Sequence, residues 1–338
     1  MDPGLWIEWI VKALILIVAL LTGFAYLTYM ERKFLARFQS RYGPNRAGPR
    51  GLLQPVADGL KLIFKEELIP AQADKLVFII APIMTAVPAW IILAVLPLGS
   101  ITLFGQTYDL SLAGDLNIGI LYITAVTSIS VYGIVLAGWS SNNKYAMLGG
   151  IRSSAQMISY ELALGLAFVG PVMMAGSLSL AQVVETQTRI GWFALYQPIG
   201  FLVFLIASLA EINRPPFDMP EAEQELTAGY HVEYSGMKFA LFMLTEYTKM
   251  IVVSAIAATL FLGGFHFPYI TDKWPWLGPV VLFVKVFVLL YGIIWVRATL
   301  PRVRYDQLMQ LGWKIMLPLA LFSVFLTAAI MFLRGMVS

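Results

Sequence analysis

The chain has 338 residues, 59% of them hydrophobic, with a formal net charge of +3 and a mean hydropathy of +0.76. This composition excludes an ordinary soluble domain, and we expect no nucleic-acid partner for so small a net charge. The absence of cysteine excludes disulfides, thiolate-ligated iron–sulfur clusters and cysteine nucleophiles in this chain.

Continuous apolar runs recur along the whole chain, and most have the roughly 18 residues that a membrane-spanning helix needs. The runs do not alternate with period two, which favours helices over a β-barrel. The sequence therefore predicts an all-α, polytopic membrane protein with about eight transmembrane helices, forming a single membrane-embedded helical domain over residues 1–338. The predicted spans are Ala13–Met30, Leu76–Pro97, Leu116–Trp139, Ser154–Met174, Tyr196–Ala210, Phe239–Leu262, Val280–Arg297 and Ile315–Leu333.

The lysines and arginines set the predicted orientation. Most of them fall in four segments that alternate with the spans, at 31–75, 140–153, 211–238 and 297–314. The positive-inside rule places these segments on the cytoplasmic side and both termini outside. The first span is too long for a signal-peptide core and has no cleavage site after it, so we expect it to remain in the mature protein.

The first cytoplasmic segment has two parts. The basic stretch from Glu31 to Arg50 is typical of an anchor that touches anionic lipid. From Leu52 to Glu66 the pattern is that of an amphipathic helix, too short and too polar to cross the bilayer, so we predict an interfacial helix. This helix either docks the loop on the membrane or forms the lip of an entrance for a membrane-dissolved molecule.

Several charged residues fall inside predicted spans, where they face protein or water rather than lipid. Glu161 lies in the first third of the fourth span, and either handles protons or makes a structural hydrogen bond. Glu246 and Lys249 have the i, i+3 spacing of a possible pair. Lys285 either snorkels outward or pairs inside the bundle. For Arg297, Arg302 and Arg304, at the end of the seventh span, we favour membrane anchoring.

The cytoplasmic loop 211–238 opposes the charge of its own compartment. It carries six acidic residues against Arg214 and Lys238. Carboxylates this close repel one another, so at least one should hold a proton near neutrality if the loop is poorly solvated. The loop is therefore either a proton-handling device or a docking surface for basic partners, and the two interpretations are compatible. The two histidines, His231 and His266, are predicted on opposite sides of the membrane, so we expect no metal site.

Two stretches resemble a known family closely. They are Gly51-Leu52-Leu53-Gln54-Pro55-Val56-Ala57-Asp58-Gly59-Leu60-Lys61-Leu62-Ile63-Phe64-Lys65-Glu66 and Pro216-Phe217-Asp218-Met219-Pro220-Glu221-Ala222-Glu223-Gln224-Glu225-Leu226-Thr227-Ala228-Gly229. Both look like the signatures of the H subunit of proton-pumping NADH–quinone oxidoreductase, respiratory complex I. The stretches 31–50, 159–161, 229–234 and 304–308 are similar as well, so the resemblance covers nearly the whole chain in order.

This resemblance implies a function at the junction of two arms. In that family the subunit joins a hydrophilic redox arm to a membrane pumping arm and forms the lipid-accessible wall of the quinone cavity. The implied partners are the hydrophilic quinone-site and iron–sulfur subunits, which would carry FMN and the iron–sulfur clusters, and small membrane subunits, in a bacterial inner membrane. Quinone is the implied substrate, and this chain alone is expected to hold no cofactor or redox centre.

The resemblance also implies site residues. Those of the quinone cavity are Glu31, Arg32, Asp58, Gly59, Phe217 and Asp218. Those of a proton path are Glu161, Glu211, Asp218, Glu221, Glu223, Glu225, Glu233 and Glu246. Some family members carry a glutamate in the third span where this chain has Thr127-Ser128-Ile129-Ser130, so a path there must use water or hydroxyls. The alternatives are an equivalent subunit of a ferredoxin- or hydrogenase-linked complex and a free-standing proton-coupled transporter, although no inverted repeat is evident.

Overall fold

The computed structural model describes residues 3–103, 106–113, 116–219 and 229–333. Nearly all of these residues are helical or lie in short connections. The α-helices are α1 Pro3–Phe38, α2 Gln54–Ile63, α3 Lys75–Ile91, α4 Gly119–Ser140, α5 Lys144–Ala175, α6 Leu180–Ile190, α7 Phe193–Tyr196, α8 Pro198–Glu211, α9 Gly236–Phe261, α10 Ile270–Lys273, α11 Gly278–Thr299, α12 Tyr305–Gln310 and α13 Leu317–Leu333. Short 3-10 turns lie at Pro49–Gly51, Ile92–Val95, Gly229–His231 and Pro275–Leu277, and a π-helical segment, Leu311–Met316, joins α12 to α13.

The predicted all-α polytopic fold is confirmed. Within the described residues, seven helical stretches are long and apolar enough to cross a membrane. The helix at the fifth predicted span, α8, is shorter than these seven stretches. It begins at Pro198, after the break at Gln197, and has 14 residues. At about 1.5 Å per residue this helix is about 21 Å long, less than the hydrocarbon core of a bilayer. It ends at Glu211, so this carboxylate stands at the end of a short helix within the bundle.

The four segments predicted on one side of the membrane meet at one end of the bundle. Asp74 N donates to Ser140 O at 3.1 Å, which joins the first segment to the second. Asn143 Nδ2 donates to Glu233 Oε1 at 2.7 Å, which joins the second to the third. Val303 N donates to Pro216 O at 3.0 Å, which joins the third to the fourth. The grouping of these segments is therefore correct, while their placement in the cytoplasm stays a prediction.

Two membrane helices are longer than predicted at this end. Helix α1 continues eight residues past Met30 to Phe38, so Glu31 and Arg32 lie inside the helix rather than at its end. Helix α5 begins at Lys144, where the Asn143 side chain accepts a hydrogen bond from Tyr145 N and so caps the helix. Glu161 is therefore near the middle of a 32-residue helix, not in the first third of a span.

Gly149 and Gly150 are a pair typical of a turn, yet both are helical. They are there for close approach: a Cβ on Gly149 would lie 2.6 Å from the Cα of Gly229. On Gly150, a Cβ would lie 3.3 Å from the carbonyl oxygen of Ile134 on α4. The two glycines let α5 pack directly against α4 and against Gly229 of the loop 211–238.

The opposite end of the bundle has structure that the sequence pattern did not predict. An antiparallel hairpin pairs Ser100–Leu103 (β1) with Gln106–Asp109 (β2), with Ser100 opposite Asp109. Lys285 of α11 turns inward, one of the two predicted options, and its ammonium donates to the carbonyls of Leu262, Gly264 and His266 at 2.6–2.8 Å. It thereby satisfies carbonyl groups at and beyond the C-terminus of α9.

Candidate functional site

An ion pair joins the first membrane helix to the surface helix. Arg32 Nη1 of α1 lies 2.6 Å from Asp58 Oδ2 of α2. Gln54 Nε2 donates to the other carboxylate oxygen of Asp58 at 3.2 Å, and Tyr29 donates to the carbonyl of Arg50 at 2.8 Å. These contacts fix α2 beside the end of α1, so two residues assigned to the quinone cavity are in direct contact.

The interfacial helix α2 keeps an exposed apolar face. Leu53, Val56, Leu60 and Ile63 are all more than half exposed. This face is the kind that lies in the headgroup region of a bilayer. Gly59 on the same helix has open space around it, since a Cβ there would have no heavy atom of another residue within 4 Å.

Two cavities lie beside this junction. One, of about 580 Å³, is lined by Arg32, Gln54 and the loop residues 41–46. The other, of about 400 Å³, is an almost wholly apolar cleft between α1, α9 and α11. Its lining on α1 runs from Leu16 to Met30, two residues before Arg32. The polar cavity and the apolar cleft therefore include residues from the same turn of α1, Arg32 and Met30 respectively.

A buried charge cluster lies behind this junction. It consists of Glu31 of α1, Arg214, Glu246 of α9 and Arg297 of α11, and Glu31, Arg214 and Glu246 are buried. Glu31 contacts Arg297 directly. Arg214 Nη1 lies 3.8 Å from Glu31 Oε1, and its Nη2 lies 3.5 Å from Glu246 Oε2. Two carboxylates and two guanidinium groups balance in formal charge, which is the condition for burying so many ions together.

This cluster changes two interpretations from the sequence. Membrane anchoring is wrong for Arg297, because its guanidinium faces Glu31 inside the bundle. The proposed pairing of Glu246 with Lys249 is also not what the structure has. Glu246 faces Arg214, while Lys249 Nζ donates to Ser130 Oγ of α4 at 2.9 Å.

The residues after α8 are held by a buried glutamine. Gln156 Nε2 of α5 donates to the carbonyls of Ala210 and Phe217, at 2.8 and 2.7 Å. The ring of Phe217 packs against Tyr160 at 5.9 Å between ring centroids, and Asp218 is buried beside it. The start of the second signature is therefore part of the protein interior, against α5.

Glu211 lines a small closed cavity. The volume open to the centre of a water molecule is about 20 Å³, and the polar residues around it are Thr127, Ser130, Glu211 and Lys249. Glu211 is 5% exposed, and within the described part of the chain its Oε2 atom has no hydrogen-bond partner. A cavity of this size with several polar walls has room for about one water molecule.

Glu161 contacts the third membrane helix. Its carboxyl group is hydrogen-bonded to the Ser128 hydroxyl, which also lies 2.9 Å from the carbonyl of Thr124. A hydroxyl carries one proton and two acceptor sites. Ser128 therefore donates to one of these two oxygens at a time, the Thr124 carbonyl or the Glu161 carboxyl oxygen.

Glu233 lies apart from this group. Its Oε1 atom accepts from Asn143 Nδ2, the residue that caps α5. Next to it, Tyr234 stacks on Phe78 with the ring centroids 4.0 Å apart. Burial raises the pKa of Tyr234 to about 12, so its hydroxyl stays protonated near neutrality. We assign Tyr234 a structural role.

Three acidic residues of the predicted path, Glu221, Glu223 and Glu225, lie outside the described residues. The two histidines are far apart in the described structure. His231 packs between Tyr230 and Phe239, whereas His266 Nε2 is 2.9 Å from Asp272 Oδ1 at the other end of the bundle. That hydrogen bond holds the pKa of Asp272 below its ordinary value. Among the described residues, no group of three or more His, Asp or Glu side chains could hold a metal ion.

Sequence reasoning missed the basic partners of the acidic residues. Arg214 was counted only as charge in the loop, Arg297 was assigned to the membrane surface, and Lys249 was given a partner on its own helix. The available signal was their position: Arg214 comes two residues before the Pro216 signature, and Lys249 lies well inside an apolar span. A buried cation needs a nearby anion, so each of them indicated a charged partner.

The chain is similar to known proteins over nearly its whole length. A family model described as NADH dehydrogenase matches residues 11–328. The chain is 51% identical to the first of two NADH-quinone oxidoreductase H subunits of Geobacter sulfurreducens, across 98% of this chain and 97% of that protein. It is 52% identical to an NADH-quinone oxidoreductase H subunit of Syntrophobacter fumaroxidans, across 95% of both chains. It is 50% identical to NADH-quinone oxidoreductase subunit 8 of Thermus thermophilus, across 94% of this chain and 86% of that protein.

Proposed function

Because the chain belongs to the NADH dehydrogenase family, we propose that it is the membrane subunit of an NADH–quinone oxidoreductase that admits quinone from the bilayer and couples quinone reduction to proton movement. It is a multi-pass protein of the bacterial inner membrane. The named relatives are NADH–quinone oxidoreductase subunits, which favours this function over a ferredoxin- or hydrogenase-linked complex and over a free-standing transporter.

The observation that carries the quinone role is the apolar cleft, whose α1 lining ends at Met30, two residues before Arg32 of the Arg32–Asp58 pair. A quinone dissolved in the bilayer has a long apolar tail and a polar headgroup. The cleft between α1, α9 and α11 offers apolar surface to the tail, and the polar cavity beside Arg32 offers hydrogen-bond donors to the headgroup. Sites for such ligands are mostly apolar with a few placed polar groups.

A photoreactive quinone with a long isoprenoid tail tests this role. In the purified, membrane-embedded complex, we expect it to label peptides from 16–32 and 52–66. Excess unlabelled long-tailed quinone should remove the label. A phospholipid with the same photoreactive group is the control for general lipid contact. Labelling that the quinone does not compete away, or an identical pattern from the phospholipid, would contradict the proposed entrance.

The second part of the proposal is a proton path through the bundle. It is supported by the buried carboxylates of Glu211 and Glu246 and by the contact of Glu161 with Ser128. Buried ionisable groups inside a membrane protein are costly and usually serve ion or proton movement. Glu31 and Glu246 both approach Arg214, so the group assigned to the quinone cavity and a group assigned to the path share one cation.

The remaining part of the proposal concerns partners. FMN and the iron–sulfur clusters are placed in hydrophilic subunits, and this chain links those subunits to small membrane subunits. Purification of the complex from its native membrane, followed by identification of the subunits and their cofactors, tests this. An NADH-oxidising flavoprotein and an iron–sulfur protein in stoichiometric amounts are expected, whereas a chain that purifies alone and transports solute contradicts the proposal.

A further inference from the structure

The amine of Lys249 contacts the third membrane helix, α4, within the stretch Thr127-Ser128-Ile129-Ser130. Lys249 Nζ donates to Ser130 Oγ at 2.9 Å, and Ser130 in turn donates to the Thr127 carbonyl at 2.8 Å. An ammonium group has three N–H donors. In the described part of the chain one of them is bonded, to Ser130, which leaves two for the cavity that Lys249 also lines.

The cavity connects Lys249 to Glu211. Both side chains line it, and the buried Oε2 atom of Glu211 has no hydrogen-bond partner among the described residues. A water molecule in a cavity of this size needs two to four polar partners, which Lys249, Glu211, Thr127 and Ser130 provide. One water can therefore accept a proton from the amine and pass one to the carboxylate.

Hydroxyl groups lie between the same cavity and Glu161. Thr127, which lines the cavity, donates to the Thr124 carbonyl at 2.9 Å. The Ser128 hydroxyl lies 2.9 Å from the same carbonyl and is hydrogen-bonded to Glu161. The two hydroxyls share this acceptor atom, so they lie close to each other, one at the cavity and one at Glu161. The charged groups that act on the Lys249 amine are Glu211, Glu246 and Glu161.

From this arrangement we propose that Lys249 is a proton-relay residue between Glu161 and Glu211, an inference that rests on the proton path proposed above. In one step the ammonium group of Lys249 gives a proton to the Glu211 carboxylate, leaving a neutral amine and a carboxylic acid. In the next, the Ser128 and Thr127 hydroxyls turn from the Thr124 carbonyl toward each other and pass a proton from the acid form of Glu161 to the amine, which regains its charge as Glu161 becomes a carboxylate. The net result is one proton moved from Glu161 to Glu211, and the reverse sequence moves it back.

Lysine suits this task because a buried ammonium group gives up its proton readily, whereas a guanidinium group does not. Three carboxylates, those of Glu211, Glu246 and Glu161, act electrostatically on this cation, and a third-span glutamate would add a fourth negative charge. With Lys249 present, proton transfer at the third span needs only hydroxyl groups, and Thr127-Ser128-Ile129-Ser130 supplies three of them.

The test compares Lys249→Arg with Lys249→Met and Lys249→His in the assembled complex, reconstituted in liposomes. Arginine keeps the positive charge but cannot release its proton, so we expect proton translocation per NADH oxidised to fall at least about tenfold. Methionine should give a similar loss, and histidine, which can exchange a proton, should recover at least about threefold over methionine. Thr259→Ala, which removes a hydrogen bond on the same helix at a residue that does not line the cavity, is the control and should stay within about twofold.

Translocation within about twofold of the parent in Lys249→Arg would overturn the relay, because charge alone would then suffice. If the arginine variant does not assemble, the histidine and methionine variants decide the matter: equal proton translocation by the two overturns the Lys249 relay. Glu161→Gln, measured in parallel, distinguishes failure of the Lys249 relay from failure of the whole proton path. If Glu161→Gln loses translocation and Lys249→Arg does not, the path stands without Lys249. If neither loses it, the proposed path itself is wrong.

Discussion

The guanidinium carbon of Arg214 lies over the ring of Tyr247, 4.3 Å from its centroid, and the two terminal nitrogens lie 3.8 and 3.5 Å from the carboxylates of Glu31 and Glu246. The ring is held in turn by Phe24 of α1, with 5.7 Å between ring centroids. Asn213, just before Arg214, has a positive φ of 57°, a conformation that asparagine tolerates better than most residues. Arg214 thus ties α1 to α9 from the loop that follows α8.

We expect Arg214→Met to destabilise the protein by about 3 kcal/mol or more, because it leaves the buried carboxylates of Glu31 and Glu246 with Arg297 as the one remaining arginine of the cluster. Arg214→Lys should cost less, since it keeps the charge but loses the planar contact with Tyr247. Thermal denaturation of the purified complex measures both. Arg189→Met is the control, as its pair with Glu185 is exposed and should contribute less than about 0.5 kcal/mol. Equal effects at the two arginines would contradict the buried cluster.

Replacing Gly59 by leucine should obstruct the proposed quinone entrance without disturbing the fold. A Cβ at this position has open space, with no atom outside the helix's own backbone within 4 Å, so α2 can accept a side chain there. We expect activity with long-tailed quinone to fall several-fold more than activity with a short soluble analogue. Ala57→Leu, two positions away and therefore on another face of the helix, is the matched control. Equal loss with both quinones argues against an entrance here.

Glu161→Gln keeps the shape of the side chain and removes its titratable proton. The amide can still bond to Ser128, so the complex should assemble normally while proton translocation falls by about tenfold or more. Ser128→Ala removes the hydroxyl partner and should give a smaller loss in the same direction. Assembly on native gels and translocation in liposomes are the measurements. If turnover and translocation both match the parent, Glu161 has only a structural role.

The carboxyl groups of Glu221, Glu223 and Glu225 in the acidic loop should titrate as one coupled group. Because successive side chains on a helix turn by about 100°, Glu221, Glu223 and Glu225 cannot all face the same way if this stretch is helical. Single Gln substitutions should therefore differ, one shifting the pH dependence of quinone reduction and another weakening attachment of the hydrophilic arm. Their pairs should depart from additivity. Superimposable pH profiles in fully assembled variants would make the loop a solvated surface.

Gly149→Ala should be destabilising by about 1–3 kcal/mol, because the new methyl group would overlap backbone atoms that cannot move aside. The nearest is the Cα of Gly229, at 2.6 Å. Gly292→Ala in α11 is the matched control: no atom lies within 4 Å of its Cβ position, so alanine should stabilise the helix by about 0.5–1 kcal/mol. Denaturation midpoints of the two variants should shift in opposite directions, and a shared direction would contradict the close packing at Gly149.

The sequence by itself determined the elements that depend on local pattern. Apolar runs located the membrane helices, and the distribution of Lys and Arg grouped the segments that meet at one end, as the Asn143–Glu233 and Val303–Pro216 contacts confirm. The 52–66 pattern indicated the surface helix, observed as Gln54–Ile63. Helix boundaries were less predictable, since the polar caps and glycines around 143–150 look like a turn until the helices that they contact are known.

Only the tertiary structure decided which charges meet. Glu246 and Lys249 are three residues apart on one helix, yet Glu246 faces Arg214 and Lys249 faces Ser130 on α4. Partners on neighbouring helices win over the partner at i, i+3 on the same helix. A buried charge is stabilised most by an opposite charge or hydrogen-bond partner that lies in the same low-dielectric surroundings. Helix periodicity fixes the face on which a residue lies. The partner across that face is set by the packing of α1, α4, α9 and α11, which no local pattern encodes.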